Sequence, residues 1–173
     1  KQGLYLLPEI ALTAQIIKKL QSVFGNKVGI YHSGFNDAER VEIWQKVQNR
    51  SYDIILAARS GVFLPFESLG LVVIDEEHDQ SYKQFDPAPR YQARDAAIYL
   101  ASLHQAKVLL GTATPSLESF QNAREEKYAY VPLNKRYGDA HLPSIEVVDL
   151  EKRKRQNRVQ NHFSDTLLSA INE

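Results

Sequence analysis

The sequence predicts an α/β fold: a mainly parallel sheet flanked by helices. Short apolar runs rich in β-branched residues alternate with helix-period segments between residues 3 and 133. One run, Leu69-Gly-Leu-Val-Val-Ile74, is apolar at nearly every position, as a strand covered on both faces requires. Several runs also end in polar or glycine-containing exits, the edge at which open α/β sheets bind ligands.

Taken in order, Gly3–Leu7 is a strand ended by Pro8, and Ile10, Ile16, Ile17, Leu20 and Phe24 recur at helical spacing until Gly25-Asn26. Lys27–Tyr31 is a second strand. Asn36 and Glu39 have capping-box spacing before a helix carrying Val41, Ile43, Trp44 and Val47. Tyr52–Ala57 and Leu69–Ile74 are strands, the latter central. Arg90–Leu103 reads as a helix, Lys107–Gly111 as another buried strand, and Pro115–Glu125 as a helix with Thr114 as its cap. Tyr128–Leu133 and Ile145–Leu150 are weaker strand candidates. Residues 1–133 therefore read as one lobe, 134–162 as a connecting arm, and 163–173 as the start of a helix leading onward.

Composition narrows the chemistry. The 173 residues, 43% hydrophobic, suffice for one core. Lys plus Arg and Asp plus Glu number 21 each, so no net field draws a polyanion and any such site must be local. Without cysteine, these residues form no disulfide, thiolate nucleophile, iron–sulfur cluster or cysteine zinc site. No run approaches the roughly 18 to 20 apolar residues of a membrane span. Lys1-Gln2 enters a strand without initiator methionine or signal pattern, and the last helix has no stop signal, so the chain reads as part of something longer.

The most informative segment is Leu71-Val-Val-Ile-Asp75-Glu76-Glu77-His78. Adjacent carboxylates at the end of a buried strand repel one another unless they share a cation. A partly hydrated Mg²⁺ needs only one or two protein carboxylates beside substrate phosphates. Asp75 is the metal candidate because it terminates the strand, and Glu76 is placed to orient and deprotonate an attacking water. His78 lacks the clustered partners of a zinc site and reads as a relay to a second ligand. The exit Gly111-Thr112-Ala113-Thr114-Pro115-Ser116 offers hydroxyls that either cap a helix or bond across to the acidic loop.

Between these exits, Asp79 to Asp95 alternates aromatics with cations. Tyr82, Lys83, Phe85, Arg90 and Tyr91 suit base stacking and phosphate attraction, with aromatic core anchoring as the competing account. Arg94 and Asp95 read as a structural pair on the following helix. Upstream, Glu9 and Thr13 flank a helix start, and Arg59 and Ser60 offer a guanidinium and a hydroxyl to phosphates. His32 either holds its loop or touches DNA. The basic tract Lys152–Arg155 with Arg158 is of a length that is commonly only solvated surface. No G-x-x-x-x-G-K-[ST] phosphate loop occurs, so the metal half of a nucleotide site is present without its cradle.

The ordered set Leu7-Pro-Glu-Ile-Ala-Leu-Thr13, His32-Ser-Gly34, Ala58-Arg-Ser60, Asp75-Glu-Glu-His78, Ser81-Tyr-Lys-Gln84, Arg90-Tyr91, Arg94-Asp95 and Gly111-Thr-Ala-Thr-Pro-Ser-Leu-Glu118 resembles the primosomal protein N′ family of replication-restart helicases, in superfamily 2. The resemblance covers about residues 3 to 150, far more than an acidic motif alone. It implies most of a first RecA-like lobe of P-loop NTPase type, truncated at its N-terminus, with a C-terminal interlobe arm. It also implies ATP and Mg²⁺ as cofactors, the latter held by Asp75 with Glu76 activating water. His78, Gly111, Thr112 and Thr114 then communicate between ATP and DNA, Tyr82 to Tyr91 sense single-stranded DNA, and Glu9, Thr13, Arg59 and Ser60 face DNA. Where family members often carry Gly-Thr before Arg59-Ser60, this chain has Ala57-Ala58, which weakens a hydroxyl contact there.

For the parent the resemblance implies ATP-driven 3′ to 5′ translocation and unwinding of DNA at abandoned replication forks, with forked and single-stranded DNA, primosome-loading proteins and single-stranded DNA-binding protein as partners. A bacterial cytoplasmic, nucleoid-associated location without membrane attachment follows from the same source. Structural zinc and the arginine finger are expected outside these residues, and the chain alone is expected to be inactive. Another superfamily 2 translocase, of recombination or restriction type, and a noncatalytic DNA-interaction domain are the alternatives.

Overall fold

The computed structural model describes residues 1–11, 13–135, 138, 143 and 145–172. Leu12, Glu173, the side chain of Ile10, and positions 136, 137, 139–142 and 144 of the expected arm lie outside the described residues. The chain divides into two units, Lys1–Ala129 and Tyr130–Glu173.

In the first unit, β1 (Gln2–Leu6) lies at the centre of a five-stranded sheet. On one side it pairs with β3 (Ile54–Ala57), which pairs with β2 (Val28–Tyr31); on the other it pairs with β4 (Leu69–Asp75), which pairs with β5 (Lys107–Gly111). Every pairing is parallel, so all five exits gather at one edge. The α/β parallel sheet expected from the sequence is therefore the fold observed.

Register decides which residues share a face. Leu4 lies beside Ile55 and Val72, and Leu6 beside Ala57 and Ile74. This face is closed by Val47 of α2 (Asp37–Gln48) and by Ala93, Ala97 and Ala101 of α3 (Ala93–Leu103). Alanine at every fourth position brings the α3 backbone close to the sheet. On the opposite face Ile16, Ile17 and Leu20 of α1 (Ala14–Phe24) pack against Val28, Leu56 and Tyr5. That cover stops short of the far strands, and Leu71 and Leu109 remain 43% and 57% exposed.

Lys107–Gly111, expected to be buried, is thus an edge strand with Lys107, Val108 and Leu109 exposed. Its apolar run marks strand propensity, which is the same for an edge and a centre. The capping box expected at Asn36 forms in full: Glu39 N donates to Asn36 Oδ1 and Asn36 N to Glu39 Oε2, both at 2.9 Å. The cap of α4 (Leu117–Arg124) is Ser116 instead of Thr114, its Oγ accepting from Ser119 N at 3.2 Å. Thr114 lies two residues ahead of that cap, and its N–H donates to Thr112 Oγ1 at 3.1 Å.

The segment after β4 is a stem with an exposed tip. Lys83 bridges Gln92 in antiparallel fashion and Gln84 N donates to Tyr91 O at 2.9 Å, leaving Phe85 to Arg90 exposed. Tyr82, expected among the base-stacking residues, is 0% exposed, and its hydroxyl donates to the Asp75 carbonyl at 2.6 Å. It belongs to the main core cluster, so the anchoring account holds for this aromatic and stacking does not.

In the second unit, α5 (Leu150–Arg155) takes up the basic tract, β6 (Val159–Gln160) and β7 (Phe163–Ser164) form a hairpin, and α6 (Asp165–Asn172) follows. Asp165 holds Arg153 at 3.3 Å and Arg158 at 3.8 Å. The strands expected at 128–133 and 145–150 do not form; Val131, Leu133, Ile145 and Val147 are exposed, and an apolar run without a pairing strand gains nothing by extending. No helix among the described residues is long and apolar enough to cross a membrane.

Two core substitutions test this packing by thermal or denaturant unfolding. A Cβ on Gly61 would lie 2.3 Å from the Ala57 Cβ, which β3 fixes, so Gly61→Ala costs about 1–3 kcal/mol. Tyr82→Ala costs about 3–5 kcal/mol, whereas Phe85→Ala at the exposed tip stays within about 0.5 kcal/mol of the parent. Equal, small effects of the two aromatic truncations would return Tyr82 to the surface.

Candidate active site

β4 delivers Asp75 to the carboxyl edge, in register with Gly111 at the end of β5. Tyr5, one strand away, donates its hydroxyl to Asp75 Oδ2 at 3.2 Å, and Glu76 N donates to Asp75 Oδ1 at 3.1 Å. Burial, followed by the Asp75 charge and this hydrogen bond, pushes the Tyr5 phenol up to about 12, so it stays a neutral donor near neutral pH. Burial raises the Tyr82 phenol as well, with Asp75 the next contributor. One phenol therefore holds the Asp75 carboxylate and another its carbonyl.

Glu76 adopts a left-handed backbone, φ 48°, which a non-glycine residue accepts at a cost of order 1 kcal/mol. The turn leaves Glu76 exposed and Glu77 buried. His78 Nδ1 lies 2.7 Å from Thr112 Oγ1 and 3.6 Å from Glu76 Oε2, and its Nε2 lies 3.4 Å from Thr114 Oγ1. The hydroxyls after β5 and the acids after β4 thus meet at one imidazole.

Glu77 is the one acidic side chain buried among the described residues. Its Oε1 accepts from Ser116 N at 2.7 Å, and its Oε2 from Ser119 Oγ at 2.9 Å, Ser116 Oγ at 3.0 Å and Arg94 Nη1 at 3.0 Å. Burial alone would raise its pKa; the Ser116 amide, the Ser119 hydroxyl, the Arg94 guanidinium and the Ser116 hydroxyl together outweigh it and hold the carboxyl below its ordinary value. Arg94 also reaches Asp95 at 2.9 Å, the pairing expected from the sequence, and Ser116 Oγ at 2.8 Å.

The remaining expected residues form a second group. Arg59 Nη1 donates to Ser81 O at 3.3 Å, tying the β3 exit to the stem, and Tyr91 meets Phe63 edge-on at 4.9 Å. Ser60 and Lys83 are half-buried beside them in sequence, and Phe85 and Arg90 are exposed at the tip. Glu9 and Thr13 are exposed, and Thr13 occupies the N-cap position of α1 without a side-chain cap bond. His32 stacks on Phe35 at 4.0 Å and accepts from Gly34 N at 3.1 Å, contacts that suit holding the loop.

Sequence reasoning missed Tyr5, Phe63 and the role of Glu77. A signal for the last existed: Arg94 falls on the alanine stripe of α3 beside Ala93 and Ala97, and a buried guanidinium requires an anion. No group of three or more His, Asp or Glu among the described residues could hold a metal. Asp75, with a single carboxylate, fits a hydrated Mg²⁺ completed by substrate phosphates and does not fit a protein cage.

The DEAD/DEAH box helicase family matches residues 1–123. Replication restart protein PriA of Chlamydia trachomatis is 39% identical over all 173 residues, which make up 23% of its length. The protein of the same name from Rickettsia felis is 42% identical over 173 residues, 26% of its length. The chain thus spans about a quarter of the curated relatives it matches. Among solved structures, the C-terminal domain of Saccharomyces cerevisiae Dbp5 aligns at a TM-score of 0.43 and 15% identity, covering 69% of this chain and 64% of that one. A parallel sheet carrying Asp75-Glu76-Glu77-His78 at the exit of β4 and a family match over residues 1–123 have one meaning: the chain belongs to the DEAD/DEAH box helicases.

Proposed function

We propose that the chain supplies the water-activating side of the first lobe of an ATP-dependent DNA helicase that acts in replication restart. The observation that carries this reading is the 2.7 Å contact between His78 and Thr112, which joins the Asp75–Glu76 exit to the neighbouring strand exit. Asp75 would hold Mg²⁺, which when bound neutralises phosphate charge. Glu76, exposed next to it, takes a proton from the attacking water. Tyr5 keeps the Asp75 carboxylate oriented. Because the residues present include no phosphate loop, the chain alone hydrolyses ATP negligibly.

The DNA-facing part is the second group at the same edge: Arg59, Ser60, Lys83 and Tyr91 around the stem, with Phe85 and Arg90 at the tip. Phe85 offers a free aromatic face for a base, and Arg90 attracts phosphate. The similarity to proteins named for replication restart supports that setting for this chemistry, to which the proposal adds forked DNA, 3′ to 5′ movement, and loading partners including single-stranded DNA-binding protein.

In the full-length protein that carries this chain, Glu76→Gln keeps nucleotide affinity and lowers turnover by about 10²- to 10⁴-fold, read by nucleotide binding beside steady-state hydrolysis. Undiminished turnover moves the base elsewhere. The double variant Phe85→Ala with Arg90→Ala keeps basal hydrolysis and loses most of its stimulation by single-stranded DNA; full stimulation in that folded variant removes the tip from the DNA site.

A further inference from the structure

We infer that Glu77 and Arg94 are positioning residues for hydrolysis, a role that rests on the proposed use of Glu76 as the base. Asp75, Glu76 and His78 are the residues that face ligand; Glu77, between them, faces the interior and is 1% exposed. A solvated acidic loop has no reason to bury its middle member, and burying a carboxylate is unfavourable by several kcal/mol unless donors replace its water. Here four donors from three residues do so, all within 3.0 Å.

Those donors come from the starts of two helices. Ser116 caps α4 and Ser119 lies in its first turn, directly after the Thr112–Thr114 exit. Arg94 lies in the first turn of α3, directly after the stem of the loop that follows β4. Glu77 N in turn donates to Gly111 O at 3.1 Å. One carboxylate therefore clasps the ends of β4 and β5 to the helices that follow them. With Glu77 held inward, Glu76 is kept in its left-handed conformation and His78 within reach of Thr112. Loss of the clasp lets the Glu76 turn relax, and a displacement of about 1 Å at a catalytic group costs on the order of 10²-fold in rate.

The test uses the full-length protein that carries this chain, with hydrolysis rate per folded molecule, nucleotide affinity and thermal unfolding measured together. Glu77→Gln places an amide N–H₂ among donors, and Arg94→Met removes the guanidinium. Both are expected to lower kcat by about 10- to 100-fold while nucleotide Kd stays within about twofold. Arg94→Lys, which keeps the charge, recovers part of the rate. A kcat within about twofold of the parent, with only the melting temperature lowered, makes the clasp a structural brace and overturns the inference. Should Glu77→Gln fail to fold, Ser119→Ala removes one donor with its neighbours intact; an unchanged kcat there and in Arg94→Lys also overturns it. Glu76→Gln serves as the reference: full activity in that variant sinks the assignment of the base, whereas an inactive Glu76→Gln beside fully active Glu77 and Arg94 variants sinks the positioning role alone.

Discussion

A carboxylate out of contact with water is tolerated only when donors surround it, and the carboxyl edge of this sheet is arranged around that requirement at Glu77. Four short hydrogen bonds meet it, and none comes from a residue adjacent in sequence. Supplying them requires α3 to begin with Arg94 on its buried stripe and α4 to begin with Ser116 as cap. The helix starts are thus set by the same carboxylate that sets the acidic turn. Replacing the whole network by apolar residues could leave stability unchanged, since buried ion pairs seldom add much net stabilisation. What such a core would lose is the fixed relation between Glu76, His78 and the Thr112–Thr114 exit.

The sheet order explains why so few residues suffice to assemble this edge. Five parallel strands end together, and β4 lies between β1 and β5, so Asp75 has Tyr5 on one side and Gly111 on the other. Tyr82 returns from the next loop to bond the Asp75 carbonyl. Each partner is therefore either one strand away or a few residues on, and none depends on a long flexible side chain. The rotamer entropy lost in ordering two phenols is small beside that of Lys or Arg at the same reach.

Much of this was legible in the sequence, for identifiable reasons. Continuous apolar runs gave the five strands of the sheet, though those at 128–133 and 145–150 formed none, and the polar ends of the five gave the edge. Asn36 and Glu39 gave a helix start within one residue of its position, because a capping box is a local interaction between residues three apart. Nonlocal features were not legible. Tyr82 and Phe85 have the same composition around them, yet one is core and the other tip, since only the stem pairing of Lys83 with Gln92 tells them apart. Lys107–Gly111 looks buried by composition and is an edge by topology. Glu77 was given no role beside Asp75 and Glu76 because nothing in its immediate neighbours reveals the left-handed turn at Glu76.

Charge arithmetic gives the network a further consequence. The chain carries no net charge, so attraction of a polyanion must come from cations left free near the exits. Arg94 is not one of them, being committed to Glu77 and Asp95. Arg59 donates to Ser81 O but keeps further N–H groups, and Arg90 is exposed at the tip. The acids are likewise divided: Glu77 is neutralised, while Asp75 and Glu76 are not paired with Lys or Arg among the described residues. The clasp therefore separates two kinds of surface that would otherwise cancel. It withdraws one cation and one anion from the edge together, leaving an acidic exit after β4 suited to a cation and the separate cations Arg59, Lys83 and Arg90 of the stem and tip to meet phosphate. Without that separation, an arginine beside Asp75 would compete with a divalent cation for the same carboxylate, since both seek the same oxygens.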